Sequence, residues 1–251
     1  MNTVLITGAS SGVGAATARR LGKDGKTVLL VARSADALDA VAREIGPNAT
    51  AFPCDASDPD AVATMASAVI ARFGVPDGLI NSAGAGQWKT VQDTTPQEAV
   101  QMMQAPYFAS FNVTHAFLSG MLERGSGVIA HVNSPACYAP WPSSAGYAAS
   151  RAALRGLHEA MSQDLVGTGV HSCHVVFSEI ASPYFENNPG VAEKIPLLAK
   201  TIPKMSPDEC AKVLANVLAR PRLEVIRPFM LKPNALIARL FPRVARWALR
   251  F

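Results

Sequence analysis

Thr7-Gly8-Ala9-Ser10-Ser11-Gly12-Val13-Gly14 is the stretch from which the rest of the chain is best read. It follows the apolar triplet Val4-Leu5-Ile6 and precedes a helical run from Ala15 to Leu21. Glycines at positions 8, 12 and 14 let a backbone turn sharply and come close to a bound group. The start of the following helix offers unpaired N–H groups and the positive end of its dipole. This combination fits a pyrophosphate. No Lys-Ser/Thr pair follows the glycines, which excludes a Walker loop.

Outward from this turn, short β-rich runs alternate with helical ones. Thr27 to Val31 precedes a helix over Ala35 to Ile45, and Ala51 to Cys54 precedes one over Asp60 to Phe73. Gly78 to Asn81 is a fourth strand, followed by a helical stretch from Pro96 to Glu123. Gly127 to Val132, the helix Gly146 to Leu165, Val170 to Val176 and Leu223 to Ile226 complete the series. This rhythm predicts an α/β fold, a doubly wound seven-stranded parallel sheet with helices on both faces. We read residues 1–251 as one domain.

Composition supports this. A chain of 251 residues with 49% hydrophobic side chains can bury a sizeable core, which excludes a disordered protein. No apolar run reaches the roughly 18 residues that span a bilayer. No leader-like segment opens the sequence, and Cys54, Cys137, Cys173 and Cys210 form no CxxC framework, so a cytoplasmic location is expected. The net charge of +4 is unevenly spread: Arg227, Lys232, Arg239, Arg243, Arg246 and Arg250 follow the last acid, Glu224. The basic balance is therefore local and does not indicate nucleic acid. No metal-ligand set emerges, since His171 and His174 fall on opposite faces of a strand; His115, His131 and His158 have no visible partners.

The end of the second strand decides between dinucleotides. An Asp or Glu there binds a ribose 2′-hydroxyl. Here the place is held by Ala32, followed by Arg33 and Ser34. A guanidinium binds a 2′-phosphate and no carboxylate repels one, so NADP(H) is the expected cofactor.

The motif TGxxxGxG near the start, Asn81-Ser82-Ala83-Gly84, and Ser134 standing 13 residues before Tyr147 resemble the short-chain dehydrogenase/reductase family through about Ser182. The resemblance implies a Rossmann-type domain, a homo-oligomer and hydride transfer between a nicotinamide and a carbonyl or alcohol carbon. It implies cofactor contacts from Gly8, Ser10, Ser11, Gly12, Val13, Gly14, Arg33, Ser34, Asp55, Ala56, Asn81, Ala83, Gly84, Tyr147, Arg151, Ile180 and Ser182, with Asp55 at the adenine and Ile180 at the carboxamide. Tyr147 would be the acid/base and Ser134 the donor to the substrate oxygen.

The chain departs from the family at two coupled places. Tyr147-Ala148-Ala149-Ser150-Arg151 carries Arg where the family has Lys. Arg151 shares a helix face with Tyr147 and supplies a fixed cation, but it cannot hand protons on. The helical Asn that holds a relay water in the family has Pro106 in its register, with Gln104 and Asn112 out of place. A milder change puts Phe177-Ser178 where Pro-Gly is usual.

Two regions remain. Residues 178–205, with Pro183-Tyr184-Phe185 and Ile195-Pro196-Leu197-Leu198, read as an apolar lid for a lipophilic substrate, with Trp88, Trp141 and Tyr138 as pocket candidates. In the tail, about 227–251, Asn234 is expected to cap a helix that Pro242 divides. Leu236, Leu240, Val244, Trp247 and Phe251 share one face beside the arginines. Such a segment would either touch an anionic membrane peripherally or pack on its own domain or a partner subunit. The leading expectation is an NADP(H)-dependent oxidoreductase; the alternative is a dinucleotide-binding regulatory module with weak or lost catalysis.

Overall fold

The computed structural model describes residues 1–84, 86–181 and 194–250. Seven parallel strands lie in the order β3-β2-β1-β4-β5-β6-β7. They are β1 (Thr3–Thr7), β2 (Thr27–Ala32), β3 (Ala49–Pro53), β4 (Gly78–Asn81), β5 (Gly127–Asn133), β6 (Val170–Phe177) and β7 (Glu224–Arg227). Successive strand residues point to opposite faces. Val4, Ile6, Val28 and Leu30 therefore pack against α1 (Gly12–Lys23), α2 (Ala35–Ile45) and α8 (Pro207–Ala219). Leu5, Leu29, Leu79 and Ile129 pack against α3 (Pro59–Phe73), α5 (Ala109–Arg124) and α6 (Ala145–Asp164). Cys54 lies just beyond β3 rather than within it; all four cysteines are buried and free.

The sheet is the doubly wound one expected. Strand order reverses between β1 and β4, so the chain leaves these neighbours toward opposite faces and opens a crevice at their carboxyl ends. Thr7 and Asn81 are paired at that edge.

Two expectations need correction. The helix predicted from Pro96 to Glu123 is broken: α4 (Pro96–Met103) and α5 are joined by a wide-turned segment, Gln104–Phe108. Ala105 within it is extended, at φ −129° and ψ 112°. Pro106 causes this, because its ring disfavours helical geometry for the preceding residue and it lacks an N–H. At the C-terminus, Asn234 does not cap a helix. It lies inside α9 (Leu231–Leu240), whose first turn accommodates Pro233, where a missing N–H costs no helical hydrogen bond. Pro242 does divide the tail, and opens α10 (Pro242–Ala248).

Candidate active site

The crevice is a continuous cleft of ≈ 1420 Å³ across the carboxyl ends of the strands. Gly8, Ser10, Ser11, Gly12, Val13 and Gly14 form one wall. Gly8 has φ +67° and Gly12 φ +52°, values that L side chains disfavour. A Cβ on Gly14 would collide with the Gly8 carbonyl, so α1 can pack this closely only behind glycine. Thr7 closes the turn: its hydroxyl accepts from the N–H groups of Ser82 and Ala83, both at 3.1 Å. The motif contained Thr7, but its tie to the loop after β4 needs the β1–β4 pairing to be visible.

The start of α1 is built for an anion. Ser11 makes no side-chain cap and no acid occupies the first turn. α2, α3, α4 and α8 are capped by Ser34, Asp58, Thr95 and Ser206, whereas α5, α6, α9 and α10, like α1, have no side-chain cap; α1 is the one whose start follows the glycine turn of the cleft wall. The first N–H groups of α1 thus lack a capping side chain and face the cleft, as a pyrophosphate requires.

At one end of the cleft stand Arg33, Ser34, Asp55 and Ala56. Arg33 is exposed at the rim with no hydrogen bond to a described residue. The Ser34 hydroxyl accepts from Ala37 N–H and so also serves α2. Asp55 accepts from the Ser57 hydroxyl at 2.7 Å and backbone at 2.9 Å, and these bonds, with Arg33 nearby, outweigh burial and lower its carboxyl pKa. Asn112, out of register for a relay, instead donates to the carbonyls of Ala56 and Ser57 and fixes this wall. Asn81 is buried behind the cleft; its amide contacts Thr114 and His131, holding the strand end that presents Ala83 and Gly84.

At the other end Ser134, Tyr147 and Arg151 line the same space. The Arg151 guanidinium lies over the Tyr147 ring, 4.9 Å from its centre. A Cβ on Gly84 would come within 2.9 Å of Arg151, and one on Gly86 would press on the Tyr147 ring. Trp88 and Trp141 flank Tyr147 at 5.8 and 6.2 Å, so these pocket candidates do converge on it. Among described residues Arg151 has no carboxylate partner; it makes one long bond, 3.5 Å, to the Val132 carbonyl, and its Nε is buried without any. A buried guanidinium so poorly satisfied fits a site completed by acceptor groups of another molecule, such as ribose hydroxyls.

Sequence reading missed Asn133. Its Nδ2 bridges the Arg151 carbonyl at 3.0 Å and His174 Nε2 at 2.9 Å, while its Oδ1 accepts from Ser134 N–H at 2.8 Å. Ser134 in turn lines the cleft and caps the short turn Pro135–Cys137, its hydroxyl accepting from Ala136 N–H. His131 and His158 do have partners. His131, His158 and His174 form a buried column, with ring centres 6.3 and 5.3 Å apart. His158 pairs with Ser172, and His174 meets Tyr138 and Glu224. His171, near the start of β6, is exposed, while His174 further along the strand is buried. Burial, then neighbouring imidazoles, pushes His131 down to about 3, and burial takes His158 down to about 4.

Ile180, Ile195, Pro196 and Ile202 line the cleft from the segment after β6, which includes the short helix α7 (Leu197–Lys200), together with Leu231 and Ala235 of α9. Ser182, Pro183, Tyr184 and Phe185 lie outside the described residues.

The family model described as short chain dehydrogenase matches residues 2–189. The chain belongs to the short-chain dehydrogenase family. Among its relatives, a fatty acyl-CoA reductase of Mycobacterium tuberculosis is 34% identical over 72% of this chain and 63% of its own length. An uncharacterised oxidoreductase of Mycobacterium bovis is 34% identical over 87% of this chain. The chain spans 64% of the length of that relative, slightly less than two thirds. Among solved structures, a short-chain dehydrogenase from Streptomyces avermitilis superposes with a TM-score of 0.85 at 25% identity, covering 97% of this chain and 94% of the other. A metagenomic short-chain oxidoreductase in complex with NADP gives 0.75 at 31% identity, covering 90% and 96%.

Proposed function

We propose that this short-chain dehydrogenase is an NADP(H)-dependent oxidoreductase that interconverts a carbonyl and an alcohol on a lipophilic substrate. The observation that carries the reading is the Arg151–Tyr147 stack, which shares one cleft with Ser134 and the uncapped start of α1. The nicotinamide, when bound, supplies or accepts the hydride. Tyr147 passes the phenolic proton to the substrate oxygen in reduction and takes it back in oxidation. Ser134 donates a hydrogen bond to the same oxygen. Arg151 supplies a permanent positive charge beside the phenol and donors for the ribose, but no exchangeable relay proton. Gly8 to Gly14 and the start of α1 take the pyrophosphate, and Arg33 with Ser34 takes the 2′-phosphate. Ala83, Gly84 and Ile180 support the remainder of the dinucleotide, with Ser182 assigned by family resemblance.

The apolar wall of Trp88, Trp141, Ile195 and Ile202, and the relative named as a fatty acyl-CoA reductase, support a lipophilic substrate. Family resemblance supports a homo-oligomer. No described helix is long and apolar enough to cross a membrane.

The test is fluorescence titration with NADPH and NADH, followed by NADPH oxidation against apolar ketones and aldehydes. Turnover that disappears in Tyr147→Phe with NADPH binding retained is the expected result. Failure to bind either dinucleotide overturns the reading, and tight binding without turnover across the panel favours the regulatory module.

A further inference from the structure

The C-terminal hairpin has its faces reversed. α9 buries Leu231, Ala235 and Ala238 against the domain, and no residue of α10 is fully buried. Arg239 also turns inward, 2.7 Å from Glu224 and stacked on the Tyr138 ring. The larger apolar side chains are left outside: Phe229, Leu236, Leu240, Phe241, Val244 and Trp247 are each 54–68% exposed. Of the alternatives for the leucine face, packing on its own domain is not what the structure shows, because Leu231, Ala235 and Ala238, with Arg239, hold that contact. Phe251 lies outside the described residues.

We infer that this hairpin docks on an anionic lipid bilayer and sets the substrate end of the cleft at the lipid surface. Lys232, Arg243, Arg246 and Arg250 are exposed among the apolar side chains, and no acid follows Glu224 in the sequence. The arginines alternate with the apolar residues along both helices rather than forming a separate rim. An occupant must offer anionic groups and hydrocarbon within one surface, which a bilayer with acidic headgroups does. Aromatic rings and snorkelling arginines suit that boundary, where each has an apolar body and a polar end. The patch is also continuous with the cleft: Ile237 and Val244 are exposed and line its wall as well, alongside Ala245, Ala248 and Leu249. Docking rests on this surface alone; delivery of substrate from the lipid rests on the function proposed above.

The experiment is co-sedimentation of the full chain with vesicles of phosphatidylcholine, with and without phosphatidylglycerol. Size-exclusion chromatography and NADPH titration are run on every variant. Binding only to the phosphatidylglycerol vesicles is expected, with a blue shift in tryptophan emission that Trp247→Phe removes. Leu240→Glu with Trp247→Glu should abolish sedimentation, and Arg243→Glu with Arg246→Glu should weaken it on the order of tenfold or more. NADPH affinity should stay unchanged in both pairs, which shows that they fold. The inference is overturned if the native chain stays in the supernatant, or if both pairs bind as the native chain does. It is equally overturned if the apolar pair instead dissolves a dimer while vesicles fail to bind, since the face then belongs to a second copy. Vesicle binding without NADPH binding would remove the proposed function and leave the docking surface standing.

Discussion

The guanidinium carbon of Arg151 lies 4.9 Å from the centre of the Tyr147 ring, one helical turn further along α6. The planar cation stacks on the ring and fills the slot that Gly84 leaves open. Lysine would keep the charge but lose the stack and the forked donors, so the exchange is not conservative. Arg151→Lys is therefore expected to lower kcat/KM by about tenfold, since one stacked, hydrogen-bonded cation contributes on the order of 1–2 kcal/mol. Steady-state kinetics checks this. A rise in turnover would show that the missing proton relay limits the native protein.

Asn133 ties three groups together: Ser134 N–H, the Arg151 carbonyl and His174. Asn133→Ala leaves all three without this partner in a buried place. The expected loss is about 2–3 kcal/mol of folding stability, seen as a lower urea midpoint. kcat should fall as well, because Ser134 and α6 lose their common anchor.

Much of this was legible in the sequence. The glycine turn, the alternation of strand and helix, and the spacing of Ser134 and Tyr147 depend on local pattern, which survives without coordinates. The kink at Ala105 followed from Pro106 but was masked by helical periodicity on both sides. The cap expected at Asn234 misled in the opposite direction, since Pro233 before it is harmless in a first helical turn and the helix begins at Leu231. Asn133 and His174 are 41 residues apart and meet only because β5 and β6 are paired in register, with Asn133 opposite Val176. The inward arginine of α9 needed Glu224 and Tyr138 to be placed first.

The histidine column predicts acid sensitivity. His131 and His158 are held neutral, at about 3 and about 4, whereas an unfolded histidine titrates near the ordinary 6.5. Below that value the unfolded chain takes up protons that the native one refuses, so stability falls as pH drops toward 4. The slope for the fully buried His131 approaches about 1.4 kcal/mol per pH unit. Glu224 adds to this at lower pH: burial pushes its carboxyl up, but bonds from His174, Tyr138 and Arg239 outweigh it and hold it at about 2. Denaturant midpoints measured from pH 7 to 4 should decline, and His131→Gln, which cannot titrate, should flatten the decline.

The proposed preference for NADP(H) rests on Arg33. It stands at the cleft rim beside Ser34 and makes no hydrogen bond to a described residue, which leaves its donors for a phosphate. A charge-assisted pair of this kind contributes about 1.5–3 kcal/mol, so Arg33→Ala is expected to raise the Kd for NADPH by roughly tenfold to a hundredfold. The Kd for NADH should barely move, since that dinucleotide has no 2′-phosphate. Arg33→Asp should go further and bring NADH binding ahead, because a carboxylate repels the phosphate and accepts from the ribose hydroxyl. Paired titrations with both dinucleotides decide it: an equal loss for NADPH and NADH would place Arg33 outside the phosphate contact.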